Sequence, residues 1–176
     1  PFASSVYFFT EALIKYASED TKKELLPKLV TGEVVGTYGI AEDSHQATEA
    51  NIQVNASADK LNGTKIAVPD AGIASHMIVV AKSSQGIELR LVNLKDSSIA
   101  ITPQKNIDTS KSFYKVEFNN TPSTLLGQHG EGWNYIQHLL DQAAVLFAFE
   151  QVGGSQAALD MAKAYSLERF AFGRQI

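Results

Sequence analysis

Residues 132–176 read GWNYIQHLLDQAAVLFAFEQVGGSQAALDMAKAYSLERFAFGRQI, with no proline. Ile136, Leu139, Leu140, Ala143, Phe147, Val152, Ala157, Met161 and Tyr165 recur at spacings close to three and four, the period of one helical face. The run is far longer than an ordinary helix, so it predicts one very long helix, or two broken near Gly153-Gly154. Between Gln142 and Phe149 every residue is apolar. A helix apolar all round is buried on every side, which predicts a central bundle member or a helix packed against a second subunit. Two adjacent glycines allow close approach of a neighbouring backbone, at a propensity cost of about 1 kcal/mol each.

The rest of the chain surrounds this helix with different material. At 176 residues it can bury a proper core in one large or two small domains. Apolar residues at 44% and charged residues at 19% are ordinary globular composition, not that of a disordered chain. A net charge of −4 supplies no basic footprint, which argues against nucleic acid as a partner. No apolar run reaches the roughly 18 residues of a membrane span. With no cysteine, disulfides and thiolate chemistry are excluded. No signal peptide is visible, and a cytoplasmic protein is the expectation. The chain starts without Met and opens directly into an amphipathic pattern, so it reads as a fragment of a longer protein.

Phe2 to Tyr16 is apolar at helical spacing, and Ser18-Glu19-Asp20-Thr21 then reads as a break with a new N-cap. Thr21 followed by Glu24 fits a capping box. The next helix runs from Lys22 to Val30 and ends at Gly32 as a C-cap, with Pro27 at a helix junction. From Val34 the period changes to two. Strand candidates are Val34–Ile40, Ile52–Val54, Ile66–Val68, Met77–Ala81, Ile87–Asn93, Ile99–Thr102 and Tyr114–Phe118. Asn62-Gly63 marks a tight hairpin turn between the second and third. Short strands with such punctuation suggest an antiparallel barrel or sandwich, and helices, then strands, then helices make an α+β chain.

The residues alone name no active site. There is no G-x-G-x-x-G, P-loop, G-x-S-x-G or HExxH. His45, His76, His129 and His138 are scattered without metal-ligand spacing, so no metal is expected. Asp141 and Glu150 stand nine positions apart, not one turn apart on one face, and make a weak carboxylate pair.

A resemblance supplies more. AYSLERFAFGRQI resembles the signature closing a long helix in the acyl-CoA dehydrogenase family: Tyr165, Glu168, Arg169, Phe172, Gly173, Arg174 and Ile176 match, and Gly153 falls at a family glycine. Leu26-Pro27, Gly32-Glu33, Gly127, Gly130 and Gly132-Trp133 extend the match upstream. The resemblance implies an N-terminal helical domain, a middle antiparallel β-barrel and a C-terminal helical bundle. Their portions here would be 1–30, 31–128 and 129–176. It implies FAD between barrel and bundle, often reaching a second subunit, and oxidation of an acyl-CoA thioester to the 2,3-enoyl-CoA with hydride transfer to FAD. A homo- or hetero-oligomer and electron transfer flavoprotein as oxidant are implied on the same ground.

Carried over residue by residue, the motif is mixed. Ile40-Ala41-Glu42 stands where the family has a strand contacting the flavin; Glu42 matches, while Ala41 lacks the usual hydroxyl and Ala47-Thr48 replaces Ser-Asp near the substrate. Asn62, Gly63 and Lys65 match the second flavin motif, yet Ala67 lacks the aromatic ring that covers the flavin. Val68-Pro69 follows, and Pro69 has neither hydroxyl nor N–H to donate. Asp141 matches an acidic position near CoA, Ala144 replaces an Arg there, and Ala143 stands where one subgroup holds its catalytic Glu; no general base acts from an alanine. Most members carry the base further downstream, so no catalytic residue is assigned in this chain. Arg169 and Phe172 match contacts to the FAD of a neighbouring subunit; the competing reading of Arg169 is a cation near a helix C-terminus. The losses resemble diverged dehydrogenases that work beside a complete subunit. Two further possibilities are therefore a non-catalytic subunit of a heteromeric dehydrogenase that completes its partner's FAD site, and a non-enzymatic barrel binding module.

Overall fold

The structure is a computed structural model and describes residues 1–43 and 46–176. It resolves into two compact units, Pro1–Leu140 and Asp141–Ile176.

The first unit opens with a π-helical segment, Ala3–Thr10, that runs into α1, Glu11–Tyr16. This segment buries Phe8, Phe9, Ala12 and Leu13, the apolar spacing read from the sequence. Helix α2 is Glu19–Val30. Its cap is Ser18 rather than Thr21, because the Ser18 hydroxyl accepts the Thr21 N–H. Pro27 lies inside α2, not at a junction, and Gly32 follows with φ +76°, the left-handed turn expected of a C-cap.

The strands are β1 Gly36–Gly39, β2 Asn55–Ser57, β3 Lys60–Pro69, β4 His76–Ser83, β5 Gly86–Asn93, β6 Ile99–Gln104, β7 Phe113–Pro122 and β8 Thr124–Leu126. They hydrogen-bond in the order β6-β7-β3-β2-β4-β5-β8, with β1 joined to β4. The ladders are antiparallel except where β4 takes β1, and Asn55 of β2, in parallel. Val68, Val116 and Phe118 from one side of this path share a core cluster with Met77, Val79, Ala81 and Val92 from the other. The sheet therefore curls over one apolar interior, as the alternating pattern demands.

The predicted turn at Asn62-Gly63 is displaced. The β2–β3 reversal falls at Ala58-Asp59, with φ +46° and +59°, the mirror-image turn that matches strand twist. Gly63 lies inside β3 beside a register shift at Leu61/Asn62. At φ +132°, with the Val54 backbone 3.1 Å from where a Cβ would sit, it serves a bulge and a close approach. Ile52 and Val54 are buried but precede β2 without forming a strand.

Helix α3 spans Gly132–Glu168 without a break at Gly153-Gly154, and among the described residues no neighbouring atom comes within 4 Å of a Cβ built on either glycine. Its first turns are buried through Ile136 and Leu139. In the second unit the apolar faces are uncovered within this chain itself: Val145, Phe149 and Met161 are 58%, 72% and 74% exposed. After α3 comes a small hairpin, β9 Phe170–Ala171 and β10 Arg174–Gln175. Phe172 and Gly173, at φ +53° and +78°, make its turn. Among the described residues no helix is long and apolar enough to cross a membrane.

Candidate functional site

In the first unit the structure brings Ile40 and Glu42 onto Lys65, while Ala41, Val68 and Pro69 take other partners. Lys65 points inward from β3 and is fully buried. Its ammonium donates to the Ile40 carbonyl at 2.9 Å and to Glu42 Oε1 at 2.7 Å. Glu42 Oε1 also accepts the Val54 N–H, and Oε2 accepts the Gln53 N–H. Each carboxylate oxygen is thus engaged, and the pair fastens the segment after β1 to β3 and to the approach to β2. Burial lowers the Lys65 ammonium from 10.5 to about 8, with Glu42 holding it up against a larger fall.

The other positions are equally engaged. The Ala41 carbonyl accepts the Ile66 N–H. A register irregularity between Lys65 and Val68 leaves Ala67 exposed at φ +50°, and its N–H donates to the side-chain oxygen of Gln104 at 2.7 Å. Val68 turns into the core. The Pro69 carbonyl accepts the hydroxyl of the fully buried Thr37. Ala47 is half-buried just before the short 3-10 turn Glu49–Asn51. Ser44 and His45, within the same sequence motif, lie outside the described residues.

In the second unit Asp141 and Ala144 are exposed on α3 and Ala143 is buried. Arg169 begins the run into the terminal hairpin; its guanidinium lies 5.6 Å from the centre of the Tyr165 ring, and its carbonyl accepts the Ile176 N–H. Phe172, at the hairpin tip, is fully exposed.

A second polar cluster went unread in the sequence. Glu88 and Arg90 on β5 are both buried, with Arg90 Nε and Nη2 at 2.7 and 2.6 Å from Glu88 Oε2. Glu88 Oε1 meets the Ser83 hydroxyl at 2.8 Å and His129 Nδ1 at 2.5 Å, and Arg90 Nη1 reaches Asp59 at 2.8 Å. Burial pushes the Glu88 carboxyl up, but the hydrogen bonds from His129, Ser83 and Arg90 and the guanidinium charge leave it below its ordinary value. A polar cavity of about 480 Å³ opens beside this cluster, lined by Asn55, Ser57, Asp59, Ser84, Gln85 and His129 among others. The available signal was two charges at alternate positions between Ile87, Leu89 and Leu91: period two puts them on one face of a buried strand. Among the described residues no group of His, Cys, Asp and Glu could hold a metal ion.

This curled sheet followed by a long helix is the fold of solved acyl-CoA dehydrogenases. Butyryl-CoA dehydrogenase from Megasphaera elsdenii superposes with a TM-score of 0.89 at 23% identity, over 98% of this chain and 49% of that one. A glutaryl-CoA dehydrogenase from Mycobacterium smegmatis, solved in complex with FADH2, gives 0.89 at 21% identity over 98% and 47%. In sequence, the chain is 26% identical to a probable acyl-CoA dehydrogenase, FadE25, of Mycobacterium tuberculosis, over 95% of this chain and 46% of the relative. It is 25% identical to the long-chain specific mitochondrial acyl-CoA dehydrogenase of Sus scrofa, over 93% and 42%. No family model matches. The chain is similar to acyl-CoA dehydrogenases at low identity, and spans about half the length of the curated relatives it matches.

The family's cofactor can be tested against this chain's own atoms. The edge of an isoalloxazine ring carries carbonyl oxygens and ring nitrogens that need donors. At the barrel positions Ala41 offers no hydroxyl, Pro69 offers no N–H, and the Ala67 N–H is held by Gln104. These residues do not fit a flavin ring.

Proposed function

We propose that the chain is part of a flavin-dependent acyl-CoA dehydrogenase that oxidises an acyl-CoA thioester to the 2,3-enoyl-CoA, with FAD as the family's acceptor. The observation that carries the reading is a sequence relationship running through 95% of the chain to a probable acyl-CoA dehydrogenase, with a matching fold. On this reading 1–30 ends an N-terminal helical domain, 31–128 is the middle barrel and 129–176 starts a helical bundle. Ile40, Ala41, Glu42, Val68 and Pro69 are the barrel positions that correspond to the family's flavin-contact motifs. Ala47, Asp141 and Ala144 lie on the acyl-CoA side, and Arg169 and Phe172 reach the FAD of a neighbouring subunit in a homo- or hetero-oligomer. Electron transfer flavoprotein is the proposed electron carrier. No general base is assigned: Ala143 and Ala144 carry no titratable group.

A second reading is favoured by the absent donors at Ala41 and Pro69. In it the chain is a non-catalytic subunit of a heteromeric dehydrogenase that completes its partner's site through Arg169 and Phe172. One assay tests the function. The full polypeptide, co-produced with the dehydrogenase subunits of its own source, is given acyl-CoA substrates of several chain lengths and a dye acceptor. Formation of a product lighter by two hydrogens supports the reading; its absence with every chain length, from protein of verified fold, sinks it.

A further inference from the structure

The barrel positions that correspond to flavin-contact motifs on the acyl-CoA dehydrogenase reading, on which this inference rests, differ from one another in what has happened to their donors. Two have lost them. Ala41 and Pro69 have no hydroxyl, and Pro69 has no N–H either. One has turned its donor elsewhere: the Ala67 N–H, at a left-handed φ of +50°, ends on Gln104 Oε1 at 2.7 Å. The remaining side chain with polar atoms, Glu42, accepts from Lys65, Gln53 and Val54. It is an acceptor when ionised and has no hydrogen to give to the ring's two carbonyl oxygens, N1 or N5. Ala67 also presents a methyl group where stacking would need a ring.

We propose that this chain's barrel has closed its flavin cradle on itself and does not hold the isoalloxazine ring. The closure has two parts. Gln104, at the end of β6, occupies the backbone donor at the β3 irregularity. Thr37, fully buried on β1, occupies the Pro69 carbonyl and ties the end of β3 to β1. Lys65 and Glu42 keep the framework of the cradle standing, because their bonds run to the Ile40 carbonyl and to the 53–54 backbone rather than outward. The frame has survived while the donors have gone. Glu42 and Lys65, which match the family motif, are the two whose bonds brace the barrel itself.

The test uses the full polypeptide and FAD itself. Protein is incubated with excess FAD, passed through a desalting column, and the retained flavin per chain is read by absorbance. A parallel titration follows flavin fluorescence. The wild-type chain is expected to retain none. The Ala41→Thr/Ala67→Trp/Pro69→Thr variant, shown by circular dichroism to be folded, is expected to bind FAD between about tenfold and a thousandfold more tightly, two restored hydroxyl donors and one ring contributing roughly a factor of two to ten each or more. Should the triple variant not fold, Ala41→Thr alone, at a half-buried position outside the strands, is expected to gain about two- to tenfold. Wild-type protein that keeps one flavin per chain overturns the proposal, and so does a folded variant with no gain in affinity. Either result leaves the enoyl-CoA assay untouched, whereas failure of that assay removes the dehydrogenase reading without altering what the wild-type chain does with FAD.

Discussion

The first unit contains two buried ion-pair clusters, and they teach different things about buried charge. Around Lys65 and Glu42 the cation is a lysine, its ammonium lowered to about 8 by burial. Around Arg90 and Glu88 the cation is an arginine, which does not give up its proton. Both clusters satisfy their hydrogen bonds. The first braces a stretch that resembles a ligand-facing motif, while the second knits β5 to the β2–β3 turn and to the loop before α3. If the two differ only in the cation's ability to neutralise, breaking them should have unequal consequences.

The largest effect is expected at Glu88. Glu88→Ala strands a buried guanidinium and should destabilise by about 3–5 kcal/mol in urea denaturation; a loss under 1 kcal/mol would mean that Asp59 and water already neutralise Arg90. Glu42→Ala should destabilise less, roughly 2 kcal/mol, since Lys65 can shed its proton. Equal losses at the two sites would break the comparison.

The pH dependence sharpens it. Folded Lys65 binds its proton more weakly than an unfolded lysine, so between about pH 8 and 10.5 the unfolded chain carries more protons at this position. Its contribution to stability is therefore flat below pH 8 and rises with pH through that window. Relative to Lys65→Met, the wild type should gain up to about 3 kcal/mol from pH 7.5 to 10.5, at about 1.4 kcal/mol per pH unit. A constant difference between the two proteins across that range would show that Lys65 titrates at its ordinary value. The smallest effect is expected away from both clusters. Phe172→Ala, at a fully exposed hairpin tip, should leave stability within about 0.5 kcal/mol, and a thermal melt checks it.

The sequence made some of this plain and concealed the rest for identifiable reasons. Short apolar-rich runs such as Met77–Ala81 and Ile87–Asn93 fell inside β4 and β5, because strands buried on both faces need apolar residues at nearly every position. The β2–β3 reversal was missed because Ala58-Asp59 lacks the glycine that usually advertises a mirror-image turn, while the advertised Asn62-Gly63 was spent on a bulge. The helical period of α3 was readable, though not its continuity through Gly153-Gly154; apolar content says only that a surface prefers cover, and Phe149 and Met161 are exposed in this chain. At the candidate site Glu42 and Lys65 were legible as motif matches. That their bonds run inward, and that Gln104 reaches across from β6 to the Ala67 N–H, depends on contacts between residues far apart in the chain. The Glu88–Arg90 pair was visible as two charges on one strand face, though its partners Asp59 and His129 were not.

The most direct test of the closed cradle is the flavin content of the wild-type full polypeptide after incubation with FAD and desalting. A colourless protein with no flavin absorbance band is the predicted result. A yellow protein carrying one FAD per chain would contradict it.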